Sequence, residues 1–379
     1  PALARSETRS GIIRGFLPAS FQHSLSMAST PGAAAGATDA RLSQLRDWLD
    51  TLPAAHGLRI DTLQPASADA SFRRYFRLDS AHGTLVVMDA PPPQEDCRPF
   101  VHVAGLLNGA GVHAPQVLEQ DLAQGFLLLT DLGPQTYLQS LRERDFDLAY
   151  ANTLFRPAIH TLVRWQLASR EGELPPYDEA LLRRELSLFP DWYVDRHLQR
   201  PLDATQRESL DKVFKLLVDS ALAQPKVYVH RDYMPRNLMI NAADPSQPGV
   251  LDFQDAVYGP ITYDAASLLR DAFLSWDEEQ ELDWAVRYWE AARAAKLPVD
   301  EDFGEFYRAL EWMGAQRHLK VAGIFARLCY RDGKTGYVED TPRFIAYLRR
   351  VCSRYNALAP LARLLDQLED RAQQIGYTF

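Results

Sequence analysis

Asp232 and Asn237 stand five positions apart in Val227-Tyr228-Val229-His230-Arg231-Asp232-Tyr233-Met234-Pro235-Arg236-Asn237-Leu238-Met239-Ile240, and Val250-Leu251-Asp252-Phe253 follows closely. An apolar strand delivers His230 and Asp232 into a short loop, and Asn237 leads into a second short strand. The turn-rich insert 241–249, with Asp244-Pro245 and Pro248-Gly249, folds the chain back into a third strand ending at Asp252. Three oxygen-bearing side chains thereby meet at one end of a strand-turn-strand unit. Phosphoryl transfer needs such a set: a carboxylate to orient a hydroxyl, and an amide oxygen plus a second carboxylate to hold Mg²⁺ on the phosphates. The bland alternative is a buried histidine with aspartate and asparagine capping turns. Apolar strand signals before Asp232, after Asn237 and before Asp252 favour the chemistry.

Asp232 is the expected catalytic base, and Asn237 and Asp252 are the expected metal ligands, since hard oxygens suit Mg²⁺. His230 is read as structural, holding the loop backbone in place. Arg231 and Arg236 could contact phosphate or substrate, or could form solvated salt bridges. Asp255 could contact metal or a sugar hydroxyl, or simply cap a turn. Asp264, at the start of a helix expected over 263–273, is expected to tie down the catalytic loop's backbone.

These residues need a frame. The chain has 379 residues, a formal net charge of −9 and 46% apolar residues. That length allows two lobes with substantial cores, and the acidic balance argues against a nucleic-acid or membrane-surface partner. Cys97, Cys329 and Cys352 are far apart and odd in number, which suggests neither a zinc site nor a disulfide framework and suits a reducing cytoplasm. No apolar run approaches the roughly 18 residues of a membrane span. Residues 1–30 are Arg- and Ser-rich and poor in acids, as a transit peptide can be; the preferred reading of 1–38 is a disordered extension outside the fold, translated upstream of a natural start at Met27.

A short amphipathic helix is expected over 39–50. Strands are expected at 58–60, 71–78 and 84–88, a helix at 97–109, and strands at 117–118 and 126–129. Past the break at Thr130-Asp131-Leu132-Gly133-Pro134 the pattern is helical: 145–169, 178–198, 204–223, 262–296, 302–329 and 341–374. The expected fold is α+β and bilobal, with a strand-rich lobe over 39–131 and a larger helical lobe over 132–379, and a ligand clamped between them.

His230-Arg231-Asp232 followed by Asn237 and Asp252-Phe253 resembles the catalytic and metal segments of the protein-kinase-like superfamily. The Asp252-Phe253-Gln254-Asp255 form is similar to its aminoglycoside phosphotransferase branch. The strings 71–77, 88–92, 95–100, 252–256 and 316–320 further resemble the bacterial anomeric kinases that act on N-acetylmuramate and N-acetylglucosamine in peptidoglycan recycling. The resemblance covers about residues 40–375. It implies ATP and Mg²⁺ as cofactors, a small amino sugar as partner, and phosphorylation of its C1 hydroxyl by a cytoplasmic monomer. It also implies an adenine-binding backbone at Leu129 to Asp131.

The chain departs from the general kinase pattern. The loop ending at Ser71 has no glycine to cover phosphates, and Leu85-Val86-Val87-Met88 lacks the expected lysine. Arg73, Arg74 or Arg77 could supply the missing cation, and strand alternation puts Arg74 opposite the other two. Ser71 and Arg74 are taken as nucleotide contacts beside Leu129 and Asp131. For the acceptor, Trp192, Arg317 and His318 are the candidates, against the alternative of core or solvated positions; Arg317, Lys320 or Arg327 could meet a sugar carboxylate. Two other readings stay open: a phosphotransferase for aminoglycosides or another small alcohol, and a nucleotide-binding pseudokinase.

Overall fold

The computed structural model describes residues 39–68 and 72–370. The expected extension 1–38 and Ser71 lie outside them. Backbone contacts divide the chain after Trp48. Within the first unit, Asp39 accepts from the backbone N–H of Arg41 and Leu42, both at 3.1 Å, and so caps helix α1 (Ala40–Asp50), which runs across the division.

From Leu49 onward the chain opens with a five-stranded antiparallel sheet: β1 (Arg59–Ala68), β2 (Arg74–Ser80), β3 (Gly83–Asp89), β4 (Val117–Asp121) and β5 (Phe126–Thr130). The spatial order is β1-β2-β3-β5-β4, because helix α2 (Arg98–Gly109) carries the chain from the third strand to the edge. Tyr75 pairs with Met88 and Val86 with Leu129, so the registers of β2, β3 and β5 are continuous. Period-two alternation sends Tyr75, Arg77 and Val86 to the face that meets the helical part, and Phe76, Leu78 and Val87 into the sheet's other side. β1 is longer than expected and takes in most of what reads as a loop at 65–70, because its partner β2 offers a free edge to pair with.

The helical part contains α3 (Tyr137–Glu143), α4 (Leu148–Leu167), α5 (Glu179–Leu186), α6 (Ala204–Leu222), α7 (Tyr263–Leu269), α8 (Glu278–Ala294), α9 (Phe303–Asp332), α10 (Thr341–Arg354) and α11 (Ala359–Leu368). Between α6 and α7 lie two small hairpins: β6 (Lys226–Val229) pairs with β9 (Val257–Pro260), and β7 (Leu238–Met239) pairs with β8 (Gly249–Val250). Aromatic residues fill the interior. Phe155 and Trp284 stack at 3.9 Å between α4 and α8, and Trp165 lies 4.7 Å from Tyr228 of β6. Such burial contributes about 1.5–3 kcal/mol for each large side chain.

Three expected helices are interrupted, each for a local reason. The stretch 178–198 changes to a wider π-type helix over Phe189–His197, where Pro190 lacks the N–H that a regular α-helix needs. The stretch 262–296 breaks after α7 because Asp271 Oδ1 accepts from the backbone N–H of Phe273 at 2.5 Å and Leu274 at 3.0 Å, turning the chain. The stretch expected over 341–374 divides at Tyr355 into α10 and α11, and its last four residues, 371–374, lie outside the described residues. α3 is an element the periodicity missed; it is short, and a capping box between Thr136 and Gln139 starts it. Among the described residues, no helix is long and apolar enough to cross a membrane.

Candidate active site

The loop from His230 to Asn237 is pinned from three directions. Asp264, buried at the start of α7, accepts the backbone N–H of His230 at 2.6 Å and of Arg231 at 3.0 Å. His230 is itself buried, and its Nε2 lies 3.0 Å from the Leu251 carbonyl while its Nδ1 accepts from Asp232 N at 3.3 Å. That pattern assigns the neutral ring with its proton on Nε2, and burial keeps the pKa of His230 below its ordinary value. Asn237 closes the loop, its Nδ2 donating to the Asp232 carbonyl at 2.9 Å and to Asp252 Oδ2 at 3.3 Å.

Two residues here adopt left-handed backbone, Arg231 at φ 76° and Asp252 at φ 63°. A non-glycine residue there costs about 1–3 kcal/mol, and such strain persists only where surroundings over-determine it. The hydrogen bonds of Asp264 and Asn237 are those surroundings. Asn237 and Asp252 thereby line one cleft between sheet and helices, and the partly exposed Asp232 is joined to them through its backbone carbonyl.

That cleft has a volume of about 350 Å³. Val86 and Leu129 wall it from the sheet, Met239 and Leu251 from the hairpin below, and Asp131 and Gly133 along the connection. An apolar slot ending in polar oxygens suits a flat base with a charged tail. Gly133 has φ 94°, which a side chain would strain, and its N–H donates to Asp131 Oδ1 at 3.0 Å. Asp131 also receives Arg77 through Nε at 2.6 Å and Nη2 at 3.0 Å, and Thr84 Oγ1 at 2.7 Å. Burial pulls the Asp131 carboxyl upward, but the hydrogen bonds from Arg77 and Thr84 outweigh it and leave the pKa below the usual range.

Of the three candidate arginines, Arg77 lines the cleft. Arg74 turns instead to Asp89, its cross-strand neighbour, at 2.9 and 2.6 Å, and lies outside the cleft lining. Arg73 Nε sits 3.8 Å from Glu95.

Beside the loop lies a buried charge cluster that no sequence motif announces. Glu185 of α5 receives Arg231 Nη2 at 2.5 Å, Lys320 Nζ at 2.9 Å, Gln316 Nε2 at 3.3 Å and the Tyr177 hydroxyl. Lys320 Nζ also donates to the Tyr263 hydroxyl at 2.9 Å. Burial would raise the Glu185 carboxyl, but Lys320 and Arg231 prevail and push it down to about 2. Gly259 of β9 permits this arrangement, since a Cβ there would come within 2.6 Å of Tyr177 Cβ.

The remaining candidates are dispersed. Asp255 is exposed, and its backbone carbonyl lies 3.4 Å from Arg231 Nη1. Trp192 sits half-buried on the π-type helix against the core. Arg317 is buried, its guanidinium 5.2 Å from the Tyr263 ring centre. His318 is buried and stacks on Tyr347 at 4.5 Å. Helix α9 thus turns Arg317, His318 and Lys320 inward.

Asp252 and Asn237 stand together on the cleft wall, Asn237 Nδ2 3.3 Å from Asp252 Oδ2, and neighbouring Gln254 has a buried Oε1 with no hydrogen-bond partner among the described residues. Gln254 Nε2 meanwhile steadies Asp252 Oδ1 at 3.1 Å. Among the described residues, no three His, Cys, Asp or Glu side chains gather as a metal cage. One carboxylate plus amide oxygens fits a Mg²⁺ ion that takes its other ligands from phosphates and water.

This bilobal α+β architecture, with Asn237 and Asp252 lining the cleft, is that of a phosphotransferase, and the chain belongs to the phosphotransferase enzyme family, whose profile matches residues 62–307. It is 54% identical over 342 residues to the N-acetylmuramate/N-acetylglucosamine kinase of Pseudomonas aeruginosa, covering 88% of this chain and 99% of that protein. It is 51% identical over 341 residues to the protein of the same name from Neisseria meningitidis serogroup B, covering 89% and 99%. Its fold is similar to that of the GDP complex of wild-type aminoglycoside 2'-phosphotransferase-IIIa, with a TM-score of 0.55 at 14% identity over 83% of this chain and 98% of that one.

Proposed function

We propose that this protein is an ATP-dependent kinase of amino sugars, transferring the γ-phosphoryl group to the C1 hydroxyl of N-acetylmuramate or N-acetylglucosamine in the cytoplasm. The observation that carries the chemistry is the meeting of Asn237 Nδ2 with Asp252 Oδ2 at 3.3 Å and with the Asp232 carbonyl at 2.9 Å, at the wall of the cleft. The substrate comes from the two relatives above, which cover nearly their whole length.

In this reading the adenine lies between Val86 and Leu251, against the backbone of Leu129 to Asp131. The Asn237 side-chain oxygen and the Asp252 carboxylate hold Mg²⁺, which neutralises charge on the phosphates when bound. Asp232 orients the acceptor hydroxyl and takes its proton. An anomeric hydroxyl is more acidic than an ordinary alcohol, so an aspartate suffices as base. Neutral His230, buried Asp264 and the Arg231–Glu185 pair hold that carboxylate in place without touching substrate. Arg77, rather than Arg74, is the cation on the nucleotide side.

The experiment is phosphate transfer from ATP with Mg²⁺ to a panel of amino sugars and aminoglycosides. C1 phosphorylation abolishes the reducing activity of the sugar, so loss of reducing ends in step with ADP release is the expected result. Transfer only to aminoglycosides, or to none of the panel, overturns the reading.

A further inference from the structure

A second cavity of about 610 Å³ lies in the helical part. Phe273 and Trp276, from the turn after α7, form one side of it; Arg343, Tyr347 and Arg350 of α10 form another; Phe146 closes it from the α3–α4 connection. Arg236 joins this cavity to the first. Arg236 lines the nucleotide cleft one residue before Asn237, and its guanidinium carbon lies 4.9 Å from the ring centre of Phe273. The second cavity thus meets the loop that carries Asn237 through the contact of Arg236 with Phe273.

Its chemistry is distinctive. Four aromatic rings and two guanidinium groups line it, and no carboxylate does. The carboxylates that balance the arginines stand outside the lining: Asp340 lies 3.2 Å from Arg343 Nη2, and Glu281 pairs with Arg350. Glu281 is also shared with Arg270 Nε at 3.3 Å, so it does not answer Arg350 alone. Three buried donors in these walls, Trp276 Nε1 and the Nε atoms of Arg343 and Arg350, have no hydrogen-bond partner among the described residues. Those three atoms lie behind the surface, and Arg343 Nη1 donates to Ser275 Oγ of the lining at 2.8 Å. What faces a ligand is the pair of guanidinium groups with no carboxylate beside them in the lining, a setting that suits an anionic group. Aromatic rings offer flat apolar faces for the C–H face of a sugar.

We propose that this cavity is an acceptor subsite for a carboxylate-bearing saccharide, with Arg343 and Arg350 as the anion's partners. The inference rests on the amino-sugar kinase reading and deepens it. N-acetylmuramate carries a lactyl carboxylate that N-acetylglucosamine lacks, so the two sugars differ in the group this cavity recognises.

Ala346 provides the test. It lines the cavity, is exposed, and stands on α10 between Arg343 and Arg350 at helical spacings of three and four. Ala346→Glu places a carboxylate between the two arginines, and Ala346→Gln has the same shape without charge. Binding of each sugar is measured by calorimetry and turnover by ATP consumption. Relative to A346Q, A346E is expected to weaken N-acetylmuramate binding about tenfold or more and to change N-acetylglucosamine binding less than about twofold. Arg343→Gln in the wild-type background should lower the same preference. Equal effects on the two sugars, no effect on either, or failure of the unmodified protein to bind N-acetylmuramate overturns the subsite. The two readings fail separately. Charge-dependent binding without phosphorylation retains the subsite and rejects the kinase reading; phosphorylation of both sugars without that charge dependence does the reverse.

Discussion

Glu185 and Arg231 form an ion pair at 2.5 Å, with the arginine one residue before Asp232 and in left-handed backbone. Lys320 reaches the same Glu185 oxygen at 2.9 Å. One buried carboxylate thus answers two cations beside the catalytic loop. Glu185→Gln leaves both without a counter-charge, which costs about 3–5 kcal/mol where a buried pair loses one member. Because the folded carboxyl is depressed to about 2 from 4.5, its contribution is present above pH 4.5 and lost as pH falls through that window. Urea melts from pH 2 to 7 should show the variant less stable at neutrality and flatter below pH 4.5. If the variant still folds, kcat falls about tenfold while KM for ATP stays near wild type, the mark of a positioning residue.

Asp232→Asn removes the proposed base, which lies outside the lining of the cleft proposed to hold the nucleotide. A loss of about 10²–10⁴ in kcat is expected, the usual range for a positioned acid–base group. ATP affinity, followed by calorimetry, should stay within about twofold. Retained turnover would refute the assignment.

Asp252→Ala takes away the carboxylate that meets Asn237 at 3.3 Å. Turnover should vanish, and ATP binding should no longer tighten when Mg²⁺ is added. Titrating nucleotide with and without the metal checks this directly; an unchanged metal dependence would show that Mg²⁺ is held elsewhere.

Arg77 and Arg74 make opposite predictions from one strand. Arg77→Met should raise KM for ATP about tenfold, because its guanidinium lines the cleft and holds Asp131. Arg74→Met should leave KM unchanged and cost about 1–2 kcal/mol of stability, since it removes the guanidinium from buried Asp89. Steady-state kinetics and melting temperature separate the two.

Asp264 titrates where activity can report it. Burial raises its carboxyl to about 6 from 3.8, against the pull of His230 and the two backbone N–H groups it receives. The folded chain therefore binds this proton more tightly, and the group's contribution to stability declines as pH rises from 3.8 through about 6. The loop contacts nonetheless use both oxygens as acceptors, which the ionised form serves best. A kcat profile with an acidic limb near pH 6 is expected, and Asp264→Asn should be slow throughout and lack that limb.

Local patterning carried much of this molecule. The alternation in Arg74–Ser80 and Gly83–Asp89 marked strands, the apolar run before His230 marked the loop's entry, and the spacing of Asp232, Asn237 and Asp252 marked a phosphoryl-transfer chemistry within a single hairpin unit. Those signals lie within a few residues of each other, where strand period and turn geometry operate. What only the tertiary structure decided involves partners far apart in the chain. Alternation separated Arg74 from Arg77, but only docking against the helical part chose which face met the cleft. Glu185 pairs with a residue 46 positions away, and Lys320 reaches it from a different helix, a meeting that no local spacing encodes. Arg317 and His318 stood as acceptor candidates on helical position alone, whereas the crossing of α9 through the core turned them inward, Arg317 against the Tyr263 ring and His318 onto Tyr347.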